Sequence, residues 1–284
     1  DSDQRPGEPS LRMKALDRQV SEGRQRLYDY QHEDGGWGWW KTDENHPFMT
    51  AYALFGLVET QKAGYAVSEE RVMQGREALR KLFDKYPRAV PDLKAYMAYV
   101  LTVTAKSGFG VGVADDVVES ARQTVEATWE ARQRLSPYGR ALLLLALDAL
   151  QDKRAGEIAQ ALTSSVQRKG DLAWWTVEND PLLEDFTDTS VEATAFVVKA
   201  LAARDPGNAV LEPAVRWLLL NRNYGAWWSS TKQTAMVLYG LLDYMRARNE
   251  GAADSTVDLT VNGTVQGSAY AAGYGDEFIR PILL

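Results

Sequence analysis

An internal repeat constrains what this chain can fold into more than any other feature of its sequence. A short pattern recurs around Thr50, Thr194 and Thr234, each time as a threonine followed by an alanine and a bulky apolar residue. The alanine can be followed through five segments, at Ala51, Ala95, Ala141, Ala195 and Ala235. A spacing of about 45 residues is typical of proteins built from pairs of helices that bury their apolar faces against neighbouring pairs.

The rest of the sequence predicts a mostly helical chain. Stretches rich in Ala, Leu, Glu, Arg and Val are separated by the helix breakers Gly and Pro. We predict ten helices, at residues 10–31, 47–63, 68–83, 92–106, 114–134, 137–151, 154–168, 189–203, 206–221 and 230–249.

The predicted helices are of two alternating kinds. One kind has a charged face, as in 68–73, and should be half-exposed, whereas the other, as in 48–57 and 138–143, is apolar all round and should be buried. The alternation predicts two layers, with an inner set at 47–62, 92–105, 137–150, 189–202 and 230–245. Because neither end of the inner series looks like a polar cap, we expect an all-α fold in which helical hairpins close into an α/α toroid rather than an open solenoid.

The C-terminal segment follows a different pattern. Residues 256–265 alternate between apolar and polar and contain Asn262-Gly263, which favours the type I′ turn of a β-hairpin. A lone hairpin is only marginally stable in water. We therefore expect a short C-terminal β-hairpin that belongs to a β-domain lying mostly outside this sequence, in agreement with the apolar end Ile282-Leu283-Leu284.

Charge and composition exclude several classes of function. The formal net charge is −7, so the basic surface that binds nucleic acids or anionic membranes is missing. Cysteine is absent and only two histidines are present, which argues against thiolate chemistry and against Cys- or His-rich metal sites. No apolar run reaches the ~18 residues of a membrane span. We expect no metal, no cofactor, no nucleic-acid partner and no direct membrane span.

Tryptophans near the turns are the candidate binding residues. Nine are present in the chain, and seven form an aromatic set near glycines: Trp37, Trp39, Trp40, Trp174, Trp175, Trp227 and Trp228. These rings could seal the ends of the helices, or they could form a platform for a carbohydrate or a hydrophobic ligand. We favour the sealing role and predict that at least two of Trp37, Trp39 and Trp40 are mostly buried.

Residues 184–192 contain four carboxylates, at Glu184, Asp185, Asp188 and Glu192. Such a group could supply a general acid and base or bind a magnesium–diphosphate group. We favour a helix cap at 188–190, in front of a first turn that contains Glu192.

The histidines and a serine-rich turn also receive structural interpretations. His32 lies beside two acidic residues and is interpreted as a solvated helix end, and His46 is interpreted as a turn residue before Pro47. The segment 229–231 is expected to cap the last helix, since no base lies nearby to activate a hydroxyl.

Three separated segments carry a family resemblance. The segment 217–235, Trp-Leu-Leu-Leu-Asn-Arg-Asn-Tyr-Gly-Ala-Trp-Trp-Ser-Ser-Thr-Lys-Gln-Thr-Ala, resembles a signature of alpha-2-macroglobulins and complement components. Residues 191–196 resemble their Val-Glu-Ala-Thr-Ser-Tyr segment, and residues 31–40 are most similar to bacterial alpha-2-macroglobulins. The resemblance covers about residues 10–250 and implies the thioester domain of that family, an α/α toroid of six hairpins, five of which are found here.

The same resemblance implies a division of the chain into three parts. Residues 1–9 would be an N-terminal extension, residues 10–252 the toroid, and residues 253–284 the start of an adjoining CUB-like β-domain.

Two departures from the family pattern bear on function. The family's thioester joins a Cys and a Gln of a Cys-x-Glu-Gln motif that lies upstream of the segment matched by 10–31, and this sequence has no Cys. Complement proteins also use a His near the start of a later inner helix to speed acyl transfer. The matching stretch here, 91–95, has no His, which argues against His-assisted transfer to hydroxyls.

The resemblance implies a scaffold fragment of a protease trap and not an enzyme. The domain would hold and shield a thioester region that is not in this chain. The implied partners are the proteases trapped by the parent protein and its neighbouring macroglobulin and CUB-like domains. The implied location is extracytoplasmic, in the periplasm or at the cell surface, with a lipid anchor on the parent as one option.

Two enzyme classes on the same toroid remain as alternatives. Terpene cyclases and prenyltransferases share Gln…Asp-Gly-Gly-Trp-Gly turns, but 185–188 lacks the contiguous acidic pair of a cyclase, and prenyltransferases need a Cys in their zinc site. A polysaccharide-binding or lyase-type toroid would need a Tyr/His pair, for which the two histidines leave few choices.

Overall fold

The structure is a computed structural model that describes residues 11–87, 89–109, 115–185, 187–249, 255–261 and 264–271. Within these residues the chain forms ten α-helices: α1 Leu11–Tyr30, α2 Pro47–Lys62, α3 Glu69–Lys85, α4 Pro91–Lys106, α5 Asp115–Glu130, α6 Pro137–Ala149, α7 Ala155–Ser164, α8 Ser190–Arg204, α9 Leu211–Leu220 and α10 Thr231–Ala247. Four short strands complete the structure: β1 Gln167–Lys169, β2 Leu172–Trp174, β3 Ser255–Val261 and β4 Thr264–Ala271.

Residues at the helix starts explain why the predicted helices form where they do. Proline occupies the first turn of α2, α4 and α6, where its missing N–H costs no hydrogen bond. Ser68, Ser136 and Ser230 precede α3, α6 and α10, and each side chain accepts a hydrogen bond from a backbone N–H of the first turn. The cap predicted at 229–231 is therefore confirmed at Ser230.

The described chain divides into two compact units. Unit 1 comprises residues up to Ser165 together with Thr176–Ser190, and unit 2 comprises Val166–Trp175 and the residues from Val191 onward. Unit 1 contains α1 to α7, and unit 2 contains β1, β2, α9, α10, the two C-terminal strands and nearly all of α8.

In unit 1 the apolar helices form the core. Helix α4 packs against both α2 and α6, while α3, α5 and α7 pack on their outer sides. Phe55, Tyr96 and Leu142 are among the largest fully buried side chains. Outer helix α3 buries only one stripe, which includes Val72 and Leu79. The prediction that 47–62, 92–105 and 137–150 form the more buried set is confirmed.

In unit 2 the prediction is correct for α8 and wrong for α10. Helix α8 is buried along almost its whole length after Val191, whereas α10 buries one face and leaves Leu238 and Leu242 exposed. Gly240 of α10 lies against the backbone of Ala195 in α8, so the covered face is the one that meets α8. The described residues leave the opposite face uncovered, and the exposure of α10 therefore resembles that of an outer helix.

The strand pairs correct one helix boundary and confirm one hairpin. The predicted helix 154–168 ends at Ser164, and the chain then forms the antiparallel pair β1–β2 around Gly170, which has a φ of 59°. Strands β3 and β4 form the predicted C-terminal hairpin, with Val261 opposite Thr264. The predicted type I′ turn at Asn262-Gly263 lies outside the described residues.

Candidate functional site

Trp37 seals the turn that leads into α2. Its side chain is 2% exposed, and its indole Nε1–H donates to the carbonyl of Leu27 over 2.7 Å. The backbone N–H of Trp37 donates to Thr50 Oγ1 over 3.0 Å, and the same hydroxyl donates back to the carbonyl of Trp37 over 2.9 Å. The threonine of the sequence repeat is therefore the residue that fixes this turn.

The bond from a tryptophan N–H to a threonine hydroxyl occurs twice more, in unit 2. The N–H of Trp175 donates to Thr194 Oγ1 over 3.1 Å, and the N–H of Trp228 donates to Thr234 Oγ1 over 3.2 Å. Both rings are buried, and Trp228 Nε1–H donates to the carbonyl of Leu218 over 3.0 Å. Each copy of the threonine pattern thus has one buried tryptophan as its partner.

The prediction that two of the first three tryptophans are buried is wrong. Trp39 is 51% exposed and Trp40 is 71% exposed, so Trp37 alone is in the core. The carboxylate of Asp43 accepts hydrogen bonds from the N–H groups of Trp39, over 2.8 Å, and Trp40, over 3.1 Å. These bonds close a tight turn after Gly38 that leaves both rings largely exposed.

The remaining rim candidates are also divided between the core and the surface. Trp227 is 52% exposed and lies 5.8 Å, centroid to centroid, from the exposed ring of Tyr224. Trp174 is half-buried and stacks on Trp217 with an interplanar angle of 11°. In each of these two tryptophan pairs one ring is buried, Trp175 or Trp228, and its neighbour is more exposed.

His32 is part of a loop network and is not a solvated helix end. Its Nδ1 lies 2.7 Å from Asn45 Oδ1, and its Nε2 lies 2.9 Å from the carbonyl of Trp40. Asn45 donates in turn to the carboxylate of Asp34 over 2.7 Å. Burial would raise the pKa of Asp34, but the hydrogen bonds from Asn45 and Gly36 and the nearby His32 hold it below its usual value. The network ties the two ends of the loop together.

His46 lines a cleft of about 630 Å³ that lies wholly within unit 1. We call it the His46 cleft; its walls come from the loop before α2, the end of α3, the start of α4 and the loop 182–184. Nδ1 of His46 is buried and has no hydrogen-bond partner among the described residues. Burial lowers the pKa of His46, although the carboxylates of Asp43 and Glu184 oppose the shift.

Most carboxylates of the 184–192 cluster are used in the local structure. Asp188 accepts a hydrogen bond from the N–H of Ser190 over 2.7 Å, which confirms the predicted cap of α8. Asp185 accepts from the N–H of Thr187 over 2.8 Å. Glu184 is the exception, because it lines the His46 cleft and has a φ of 57°, in the left-handed region that non-glycine residues rarely adopt.

The fourth carboxylate, Glu192, forms a buried ion pair in unit 2. It lies 3.2 Å from the ammonium group of Lys232, and a second pair joins Lys199 to Asp243, so both pairs connect α8 with α10. Among the residues that the structure describes, no group of three or more acidic or histidine side chains could hold a metal ion. Within the same residues, no helix is long and apolar enough to span a bilayer.

Asp92 is a buried carboxylate that the sequence did not reveal. It accepts hydrogen bonds from the N–H groups of Ser136, over 3.2 Å, and Gly139, over 3.0 Å, and from the hydroxyl of Ser136. Burial raises its pKa, and these hydrogen bonds counteract part of that effect. Asp92 lies in the stretch 91–95, and its contacts show that it anchors the start of α6.

Comparison with curated proteins identifies bacterial relatives. The chain is 29% identical over 235 residues to an alpha-2-macroglobulin of Thermotoga maritima, covering 83% of this chain and 12% of that protein. It is 28% identical over 233 residues to an alpha-2-macroglobulin of Escherichia coli K12, covering 76% of this chain and 12% of that protein. The chain therefore spans about an eighth of the length of these relatives.

Solved structures give the fold class. A crystal structure of Salmonella alpha-2-macroglobulin reacted with methylamine matches with a TM-score of 0.62 at 18% identity, over 94% of this chain and 16% of that one. The native E. coli protein, determined by cryo-electron microscopy, matches with a TM-score of 0.60 at 20% identity, over 92% of this chain and 15% of that one. The predicted fold class, an all-α toroid of helical hairpins, is confirmed by these matches.

A family model agrees with both comparisons. The model of the A-macroglobulin TED domain matches residues 88–244, which is more than half of the chain. The region contains α4 to α9 and most of α10, together with two of the three threonine–tryptophan turns. The chain therefore belongs to the A-macroglobulin TED domain family.

Proposed function

We propose that this domain is the scaffold that holds and shields the thioester region of a bacterial protease trap, and that it is not itself an enzyme. The match to the TED family model over residues 88–244 carries the proposal. Under this proposal, residues 10–252 are the scaffold and residues 253–284 begin an adjoining CUB-like domain. The parent protein would act outside the cytoplasm, and its other partners would be its own macroglobulin domains.

The distribution of buried charge supports a scaffold. Asp92 is held by the start of α6, Glu192 by Lys232, and Lys199 by Asp243. A catalytic acid or base must be able to exchange a proton with a substrate, and these groups already have partners within the fold.

The sealed turns support a shielding role. A stored thioester survives only where water is kept away from its carbonyl carbon. Three buried tryptophans, Trp37, Trp175 and Trp228, are hydrogen-bonded to threonines near the starts of α2, α8 and α10. They cover the N-terminal ends of these helices. Water entering at these helix ends would have to displace a packed indole.

The parent protein provides the test. Relatives of this chain have been studied after reaction with methylamine and after activation by trypsin. The full-length protein should form a covalent, detergent-resistant conjugate with trypsin, and treatment with methylamine beforehand should abolish the conjugate. The proposal would be overturned if protein that has not been exposed to an amine forms no conjugate with trypsin or elastase.

A further inference from the structure

The His46 cleft has an exposed aromatic wall. Among the described residues that line the cleft, Trp39 is the one large hydrophobic side chain that is highly exposed. Leu93 and Leu182, which also line the cleft, are buried. The indole ring of Trp39 lies beside the imidazole of His46, with centroids 5.7 Å apart and planes tilted by 59°. A ligand therefore meets one flat aromatic ring rather than an open apolar groove.

The backbone of the loop that carries this ring is held in place by hydrogen bonds within the protein. Asp43 accepts the hydrogen bond from the N–H of Trp39, and the network of His32, Asn45 and Asp34 ties together the loop that carries it. Exposing half of an indole to water gives up the stability that its burial would supply. A rigid loop that keeps the ring outside is the arrangement expected of a contact surface.

The polar groups of the cleft suit hydroxyl groups. The exposed carboxylate of Glu184 accepts hydrogen bonds, and the ammonium group of Lys85 donates them. A hydroxyl group can donate or accept, so it pairs with both, whereas a carbonyl pairs only with the ammonium group and an ammonium group pairs only with the carboxylate.

Glu184 supplies an acceptor at a strained position. Its left-handed φ is maintained by the loop around it, where Asp180 accepts hydrogen bonds from the N–H groups of Leu182, over 2.8 Å, and Leu183, over 3.1 Å. Backbone strain of this kind tends to occur at functional sites. The ammonium group of Lys85 and the carboxylate of Glu44 add one charge of each sign to the lining.

We propose that the His46 cleft binds a saccharide, with one pyranose ring lying on the indole of Trp39 and its hydroxyl groups hydrogen-bonded to Glu184. Pyranose rings present C–H groups on their faces, which suit the electron-rich face of an indole, and hydroxyl groups on their edges. The volume of about 630 Å³ falls within the ~300–1,000 Å³ of small-ligand sites. This site does not depend on the protease-trap function.

The first experiment measures binding of three soluble probes, chitotetraose, cellotetraose and maltotetraose, by titration calorimetry. At least one should bind to the wild-type chain with a Kd below ~10 mM, and Trp39→Ala should weaken that binding by ~10-fold or more. Trp40→Ala is the matched control, because this ring belongs to the same loop, is more exposed and does not line the cleft. It should bind like the wild type.

A second variant protects the test against misfolding. Glu184→Gly removes the carboxylate and places at φ 57° the residue that adopts this conformation without strain, so the fold should be retained. It too should weaken saccharide binding, by at least several-fold. The proposal is overturned if no probe binds the wild type, or if both Trp39→Ala and Glu184→Gly bind as well as the wild type.

Discussion

Trp37 and Trp40 lie three residues apart and should respond in opposite ways to truncation. Trp37→Ala should cost ~3–5 kcal/mol of unfolding free energy, because it removes a buried indole, leaves a cavity and abolishes the hydrogen bond to Leu27. Trp40→Ala should change the stability by less than ~0.5 kcal/mol, since the ring is mostly exposed. Urea unfolding of the two variants measures both values. Equal midpoints would show that Trp37 does not seal the turn.

His46 should titrate below the ordinary histidine value of 6.5, because burial disfavours its charged form. Between its folded pKa and 6.5 the folded chain binds fewer protons than the unfolded chain, so stability rises with pH in this window and is lost as pH falls through it. NMR of the ring protons gives the folded pKa directly, since the chain has only two histidines.

The assignment of the two histidine signals needs one variant. His32→Gln removes the other imidazole and leaves the signal of His46 alone. A remaining signal that titrates at or above 6.5 would contradict the burial argument. The same spectrum of His46→Leu should contain only the signal of His32.

The exposure of Trp39 and Trp40 shows where residue patterns stop being informative. All three tryptophans of this loop lie within two residues of a glycine, and nothing in the local pattern distinguishes the buried ring from the exposed ones. The distinction depends on Asp43, whose carboxylate binds two backbone N–H groups. Side-chain-to-backbone bonds of this kind depend on the final course of the loop, which helix and strand periodicity does not encode.

Two glycines at matching positions in their helices should give opposite results when changed to alanine. A Cβ on Gly240 would lie 2.4 Å from the carbonyl oxygen of Ala195, so Gly240→Ala forces α8 and α10 apart and should cost ~1–3 kcal/mol. A Cβ on Gly56 would have no neighbour within 4 Å, so Gly56→Ala should stabilise α2 by up to ~1 kcal/mol through helix propensity.

Urea denaturation of the two glycine variants measures this contrast directly. Gly56→Ala is the matched control, because it makes the same substitution at the equivalent position in another copy of the repeat. If Gly240→Ala is as stable as the wild type, the argument that α8 and α10 pack too closely at Gly240 to accept a Cβ atom is contradicted.

At the scale of elements, the sequence predicted what depends on local chemistry. Prolines and serines at the helix starts, glycines after the helix ends and the 3.6-residue apolar period together identified all ten α-helices of the described chain. The β1–β2 pair was missed, because three-residue strands are too short to show an alternating pattern. The predicted helix 206–221 begins only at Leu211 in the structure.

The His46 cleft was beyond prediction from the sequence for a different reason. Its walls come from residues near 39–47, 85–93 and 182–184, which only the tertiary fold brings together. The sequence singled out Trp39 and Glu184 separately, as a rim residue and as part of an acidic cluster. Their common position next to His46 follows from the packing of α2, α3 and α4, for which no local signal exists.

At the scale of the whole molecule, the buried side-chain interactions are concentrated within the two units. Unit 1 contains the Trp37–Thr50 turn and the Asp92 cap, and unit 2 contains the Trp228–Thr234 turn and the ion pairs between α8 and α10. Changes that share no partner should be energetically independent, whereas changes within one ion pair should not be.

Thr50→Val and Thr234→Val provide the independent pair. Each removes the hydroxyl that accepts from a tryptophan N–H and should cost ~1–3 kcal/mol, because a buried donor is left unpaired. The double variant should lose the sum of the two costs within ~0.5 kcal/mol, since the two turns belong to different units and share no partner. Thr102→Val is the control, because its hydroxyl donates to the carbonyl of Ala98 within its own helix and not to a tryptophan turn.

Lys199 and Asp243 provide the coupled pair. Lys199→Met removes a buried cation, whereas Asp243→Leu leaves that cation buried without its partner, so the second change should be the more damaging. In the double variant both charges are gone and part of the loss should be recovered, which gives a coupling energy of ~1–3 kcal/mol in a double-mutant cycle. The four chains of the cycle are compared by urea unfolding under the same salt conditions. A coupling below ~0.5 kcal/mol would show that this pair contributes nothing specific to the packing of α8 on α10.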